Sequence, residues 1–288
     1  MDKRPLGPFS VSPIGFGAMR LTGPNVFGPP RDRSDAVAVL REAVERGVDH
    51  IDTAQYYGPD VVNELIREAL HPYPPGLVLV SKVGAGRDRD GGVSTDDEPH
   101  QLRRGIEENL RTLDVDALPV VNLRLMRDTG PDAFFDDQLD AMISARDDGL
   151  ITAIGLSNIT LAHLLHAVRF TEVACVQNAY HLANRLSQPV VEECTRRGIA
   201  FVPFAPLGFG QSGPDSVLGR PQVVREAARL DVTPAQVALA WTLTASPNVL
   251  LIPGTSSLEH LRENLAVAHV HLDAEAVSRL SAMKAGTS

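Results

Sequence analysis

His50-Ile51-Asp52-Thr53-Ala54-Gln55-Tyr56-Tyr57-Gly58 reads as the end of a strand and the loop beyond it. The apolar run Val48 to Ile51 stops at an acid, a polar loop follows, and Val61 to Leu70 reads as a helix. Upstream, Val37, Leu40 and Val44 recur at helical spacing between a cap at Ser34 or Asp35 and a stop at Gly47. Downstream, Leu77-Val78-Leu79-Val80-Ser81-Lys82 is another short apolar run, and it ends in a lysine. Strand, loop and helix make one unit, and the unit repeats along the chain.

Val11 to Gly17 predicts the first strand. Pro119 to Met126, Ile151 to Leu156, Val173 to Asn178, Ile199 to Phe204 and Val249 to Ile252 predict the fourth to the eighth. Between and after them, helices are expected over His100–Leu113, Phe134–Asp148, Thr160–Arg169, Pro189–Arg197, Gln222–Leu230, Pro234–Ala245, Ser257–Ala268 and Ala274–Met283. Thr233 is a good cap for the Pro234 helix, with proline at its first position. Gly23 to Arg33, Gly84 to Pro99, Arg127 to Pro131 and Ala205 to Pro221 read as loops. Short, almost wholly apolar strands alternating with helices suit a parallel sheet buried on both faces. Eight such units predict one α/β domain over residues 1–288, a (β/α)8 barrel. An open doubly wound sheet is the alternative, and the missing GxGxxG turn after an early strand removes its strongest support.

Composition narrows the function. The 288 residues are 43% hydrophobic and 22% charged, ordinary globular values. A net charge of −9 argues against a general nucleic-acid binder. No apolar run has the length of a membrane span or follows the polar start as a secretory signal, so a cytoplasmic protein is expected. The two cysteines, Cys175 and Cys194, lie far apart and lack metal-type spacing, and the histidines form no HExxH pattern. No metal is expected. Oligomeric state stays open.

In a barrel, chemistry gathers beyond the carboxyl ends of the strands. Asp52, Tyr57 and Lys82 all fall there. Alone, Asp52 could cap the next helix, Tyr57 could pack on the barrel mouth, and Lys82 could be a solvated charge. Together they can form a coupled cluster, in which Asp52 is expected to hold Lys82 charged and Lys82 to lower the Tyr57 pKa, which would make Tyr57 a proton donor to a carbonyl oxygen. In the fourth strand, Asn122 and Arg124 share one face while Val121, Leu123 and Leu125 share the other. The polar face is expected inside the barrel, unless Arg124 is a solvated charge at the strand exit.

Ile-Asp-Thr-Ala, then Tyr-Gly, then Ser-Lys at the next strand end resembles the active-site signature of the aldo-keto reductases. The resemblance covers nearly the whole chain. It implies an enzyme that uses NADPH to reduce an aldehyde or ketone, with catalytic residues Asp52, Tyr57 and Lys82. It puts Arg124 at the position of a usual histidine, where a permanently charged guanidinium can orient the carbonyl oxygen and add to the push toward tyrosinate. It implies that Ser157, Asn158 and Gln177 bind the nicotinamide carboxamide, although Ser157-Asn158 alone reads as a cap for the Thr160 helix. It implies that Phe204 stacks on the nicotinamide, within the cofactor-binding segment Phe204-Ala205-Pro206-Leu207-Gly208. Pro253, Gly254, Thr255, Ser256 and His260 resemble the segment for the adenosine phosphate, and Glu263 and Asn264 the residues that hold adenine. Gly254 stands where relatives often carry lysine, and His260 where an arginine often grips the 2′-phosphate. The segments Ala18 to Leu21, Phe27 to Arg33 and Val121 to Arg124 resemble a bacterial branch of the family that reduces pyridoxal, which makes pyridoxal the first candidate. A sugar, another specialised carbonyl compound, or a redox-sensing subunit with little turnover are the alternatives.

Overall fold

The structure, a computed structural model, describes residues 2–127, 129–208 and 216–283. The middle of the expected 205–221 loop and one residue of the 127–131 loop lie outside the described residues. The first two strands, β1 (Arg4–Leu6) and β2 (Phe9–Val11), form an antiparallel hairpin. The barrel begins after it with β3 (Phe16–Gly17). The alternating units follow: α1 (Arg33–Glu45), β4 (His50–Asp52), α2 (Val61–Leu70), β5 (Val78–Arg87), β6 (Val93–Asp96), α3 (Pro99–Leu113), β7 (Leu118–Arg124) and α4 (Ala133–Asp147). Then come β8 (Ile151–Ser157), α5 (Leu161–Ala167), β9 (Cys175–Gln177), α6 (Gln188–Arg197), β10 (Ala200–Phe201), α7 (Pro221–Leu230), α8 (Pro234–Thr244), α9 (Leu258–Ala266) and α10 (Ala274–Ser281).

The parallel order is β10-β9-β8-β7-β5-β4-β3. The eighth stave is short: Val249 bridges Phe201 and Leu251 bridges Ile14. Gly15 N donates to Leu251 O at 2.8 Å and Leu250 N to Phe201 O at 2.9 Å, which joins the two edges. The chain is therefore a (β/α)8 barrel, as its strand-helix period predicts.

Side-chain alternation sets two cores. Val78, Val80, Val120, Ala153, Val202, Leu250 and Ile252 fill the barrel interior, and Leu6 and Val11 of the hairpin close it from below. The opposite strand faces, with Leu79, Val121, Leu123, Ile154 and Phe201, pack against the helices. Burying each large aliphatic side chain contributes about 1.5–3 kcal/mol before entropy is counted. Helix ends follow local chemistry. Asp32, rather than Ser34 or Asp35, caps α1 by accepting from the amides of Ser34 and Asp35. Thr233 caps α8 in a capping box with Gln236, and Pro234 opens the helix.

Two expectations need correction. Val11 to Gly17 is not one strand, because residues up to Val11 pair backward with Arg4–Leu6 and the barrel pairing starts only at Ile14. Residues 84–99 are not merely a loop. β5 pairs with β7 as far as Val83↔Leu123, then continues in an antiparallel ribbon with β6, from Gly84↔Asp96 to Arg87↔Val93. Gly84 makes the departure. Its φ is +103°, and any Cβ there would strike the Arg124 carbonyl oxygen. Lys82 therefore lies one residue before the end of the barrel part of its strand, not at the end of the strand itself.

Candidate active site

Asp52 is the last residue of β4 and pairs in register with Val80 of β5. Lys82 lies two residues farther along, on the same interior face. Its Nζ donates to Asp52 Oδ1 at 2.5 Å and to the Thr53 carbonyl oxygen at 2.9 Å. Gln177, from β9 across the barrel, donates through Nε2 to Asp52 Oδ2 at 2.8 Å. Both carboxylate oxygens are thus satisfied in a site where Asp52 is 4% exposed and Lys82 2%. Desolvating two charges is costly, and the extra donors and acceptors around the pair offset much of that cost.

The strand exits are also fixed from outside the barrel. The residues after Asp52 and before Lys82 point outward. Thr53 Oγ1 donates to Asn63 Oδ1 at 2.8 Å, and Ser81 Oγ donates to Asn109 Oδ1 at 2.6 Å. Asn63 Nδ2 donates to Asn109 Oδ1 at 2.9 Å, which links α2 to α3 behind the ion pair. Asn63 and Asn109 look like solvated helix residues in the sequence, yet both are fully buried. Each polar neighbour has a partner, so the network locks the two strand ends without an orphaned group.

Tyr57 sits above the pair, 7% exposed. Lys82 Nζ lies 5.0 Å from the centroid of its ring. Tyr56 packs edge-on against it, with ring centroids 5.1 Å apart. The expected drop in the Tyr57 pKa is overturned. Burial pushes the phenol above its ordinary range, the Asp52 carboxylate adds to the rise, and the cations Arg124 and Arg87 oppose it without winning. Lys82 is engaged by Asp52 and approaches the ring rather than acting as an unpaired charge, so its positive field at the hydroxyl is largely spent. Tyr57 is a neutral phenol, the form that can donate a proton.

The sequence did not single out Arg87 or Tyr56. Arg87 reaches the site because β5 runs on past Gly84. It donates through NH1 to Gly91 O at 2.9 Å and through Nε to Tyr56 O at 3.4 Å. A glycine-rich polar stretch carries no pattern that would reveal this ribbon.

Alternation places Asn122 and Arg124 on the interior face of β7, as expected. Asn122 is fully buried, with Nδ2 donating to Ser81 O at 3.4 Å and Oδ1 accepting from Cys175 Sγ at 3.3 Å. Arg124 lies with Cζ 5.4 Å from the Phe204 ring centroid and NH1 3.5 Å from Ser157 Oγ. It is not a solvated charge at the exit.

A cavity of about 160 Å³ opens above this floor. Asp52, Tyr57 and Gln177 form one side of it and Phe204, Pro206, Leu207 and Gly208 another. Pro253, Gly254 and Asn264 complete it and lead to an outer cleft of about 940 Å³ lined by Gly254, Thr255, Ser256 and His260. Lys82, Arg124, Ser157, Asn158 and Glu263 line neither space. Ser157 is buried beside Arg124. Asn158 has φ +59° and spends Nδ2 on the Leu125 carbonyl oxygen at 2.8 Å. Neither Ser157 nor Asn158 caps α5, whose cap is Thr160. Glu263 is half-buried on α9, and its carbonyl oxygen accepts from Gln236 Nε2 at 3.0 Å.

One buried atom tests the cavity for a nicotinamide. Among the described residues Gln177 Oε1 has no hydrogen-bond partner. Its amide nitrogen is committed to Asp52, so the oxygen is fixed as an acceptor. An orphaned buried acceptor costs about 1–3 kcal/mol. A carboxamide N–H donor relieves that cost, and Phe204 offers an aromatic face in the same cavity.

The model of the aldo/keto reductase family matches residues 13–285. The chain belongs to the aldo/keto reductase family. Carbonyl reduction is the reaction class that this membership brings with it. Over 278 residues this aldo-keto reductase is 46% identical to pyridoxine 4-dehydrogenase of Escherichia coli (strain K12), with 96% of each chain covered. Its fold matches a thermostable aldo-keto reductase solved with the inhibitor epalrestat, at a TM-score of 0.83 and 28% identity, covering 98% of this chain and 99% of the other. An aldo-keto reductase from Klebsiella pneumoniae in complex with NADPH matches at a TM-score of 0.80 and 26% identity, with 97% and 94% coverage. No helix among the described residues of this aldo-keto reductase is long and apolar enough to cross a membrane.

Proposed function

We propose that this aldo-keto reductase uses NADPH to reduce the aldehyde of pyridoxal to an alcohol, with Tyr57 as proton donor. The carrying observation is the orphaned Gln177 Oε1, anchored through Asp52 beside the neutral Tyr57 phenol. The relative at 46% identity, named for pyridoxine, supports the substrate.

NADPH bound here supplies a hydride to the carbonyl carbon. Everything else falls to the chain. Gln177 Oε1 would accept from the carboxamide and Phe204 would pack on the ring, with Ser157 and Asn158 standing behind the cavity wall on Arg124 and the Leu125 carbonyl oxygen. Pro206, Leu207 and Gly208 line the cavity along the cofactor's course, and Asn264, at the same cavity's wall, would meet the nucleotide beyond the nicotinamide, with Glu263 behind it on α9. Tyr57 gives its hydroxyl proton to the carbonyl oxygen as negative charge develops there. Lys82 and Asp52 hold the floor on which the ring rests. Arg124, packed by the Phe204 ring just behind the cavity lining, would turn toward the substrate oxygen to donate a charge-assisted hydrogen bond.

The test is NADPH consumption with pyridoxal beside a panel of sugars, ketones and other aldehydes. Turnover with pyridoxal supports the full reading. Consumption only with another carbonyl keeps the reductase and discards the substrate. Nucleotide binding without turnover on any carbonyl favours a redox-sensing subunit.

Arg124→Ala lowers kcat/KM for the carbonyl about 10–100-fold, the loss of one charge-assisted hydrogen bond. Unchanged kinetics would remove Arg124 from the site. The pH dependence follows from the raised Tyr57 pKa. The protonated phenol is the active form, and its folded-state pKa lies above the ordinary value. So kcat for reduction stays level on the alkaline side up to about pH 10, the usual tyrosine range, and falls only beyond it. A pH profile with an alkaline limb near neutrality would show that another group donates the proton.

A further inference from the structure

The small cavity and the outer cleft share Met19, Arg20 and Gly254, so Arg20 stands at their junction. Gly254 is where the family resemblance leads one to expect a lysine. No lysine fits there. A Cβ on Gly254 would collide with the Gly17 carbonyl oxygen, and a Cβ on Gly17 would collide with the Ile252 carbonyl oxygen. The two glycines allow β3 and the exit of the eighth stave to interlock backbone to backbone. The nearest side-chain atom to a Gly254 Cβ is Arg20 Cγ, at 3.6 Å. The Arg20 side chain therefore lies in van der Waals reach of position 254.

Among the described residues no ion pair uses its charge. Among the described residues ion pairs claim the nearby Arg33, with Glu68, and Arg262, with Glu42. None involves Arg20 or Arg31. Arg31 lines the outer cleft together with Thr255, Ser256 and His260. Asp32, in the same lining, is occupied in capping α1.

We propose that Arg20, assisted by Arg31, is the cation that selects NADPH over NADH, by binding the cofactor's 2′-phosphate from the amino-terminal wall of the cleft. This rests on the NADPH reading above. The recognition that a lysine and an arginine would supply from positions 254 and 260 is taken over by the segment after β3, because the Gly17 and Gly254 contact leaves no room at 254. A phosphate monoester carries close to two negative charges near pH 7 and three acceptor oxygens. A guanidinium meets such a group with paired donors. The 2′-hydroxyl of NADH offers neither charge nor that geometry.

Isothermal titration of NADPH and NADH into the full chain tests this, using wild type, Arg20→Gln, Arg31→Gln and the double variant. Arg20 is exposed, so the fold should survive, and an unchanged melting temperature of the nucleotide-free protein checks it. Arg20→Gln weakens NADPH about 10–100-fold and changes NADH less than about twofold. The double variant binds the two nucleotides with similar affinity. The salt dependence of NADPH binding flattens in the variants, as expected when an ionic contact is removed. Equal weakening of both nucleotides would overturn the proposal, since Arg20 would then meet the pyrophosphate they share. An unchanged NADPH preference would overturn it too, while leaving the reductase reading intact. Failure of the wild type to bind either nucleotide would remove both readings.

Discussion

Tyr57→Phe lowers kcat for carbonyl reduction by about 10²–10⁴-fold, the usual contribution of a positioned acid. NADPH affinity stays within about twofold, because the hydroxyl is not among the groups assigned to the cofactor. Stability barely changes. The phenylalanine keeps the ring's edge contact with Tyr56 and its place over Lys82 Nζ, at 5.1 and 5.0 Å between the same centres as in the native protein. This combination is diagnostic. A folding defect would lower binding and turnover together, whereas loss of the acid lowers turnover alone. Stopped-flow kinetics under saturating nucleotide, with calorimetric NADPH binding beside it, separates the two. A loss smaller than about tenfold would mean that the proton comes from another group, with Tyr56 the neighbour to remove next.

The sequence carried the period of the barrel because each strand is a short apolar run that ends in a polar or glycine-rich loop. It carried Asp52 and Lys82 because strand ends project their side chains to a known place. The two-residue alternation correctly sent Asn122 and Arg124 inward. Other features depend on distances that no local pattern encodes. The β5–β6 ribbon has exposed and half-buried residues on β6 and is held by pairing, not by an apolar face. The N-terminal hairpin becomes visible only through Leu6 and Val11 filling the barrel floor. The Tyr57 pKa is a balance. Proximity of cations predicts a fall, but burial and Asp52 outweigh them, and the extent of burial is not written in the sequence. The family resemblance supplied the cofactor segment, including the two departures at Gly254 and His260. Only the backbone contact of Gly17 with Gly254 gives a physical reason for the first of them.

The second large effect concerns the ion pair below the tyrosine. Lys82→Met leaves Asp52 buried with Gln177 as its remaining donor and takes the donor from the Thr53 carbonyl oxygen. Removing one partner of a buried pair costs about 3–5 kcal/mol. For a chain of this length that is a fall in Tm of about 5–8 °C, from the usual unfolding entropy per residue. Activity falls as well, because the ring of Tyr57 loses its support. Stability and catalysis can be pulled apart by adding Asp52→Asn. The double variant removes the unpaired charge, so it is more stable than the sum of the single changes by about 1–3 kcal/mol, a coupling typical of contacting residues. It remains inactive. Thermal unfolding of the four proteins in the cycle gives the coupling, and NADPH consumption gives the activity. Additive stabilities would mean that the pair is not coupled. Recovery of turnover in the double variant would mean that the pair serves only the fold, and that Tyr57 needs neither charge beneath it.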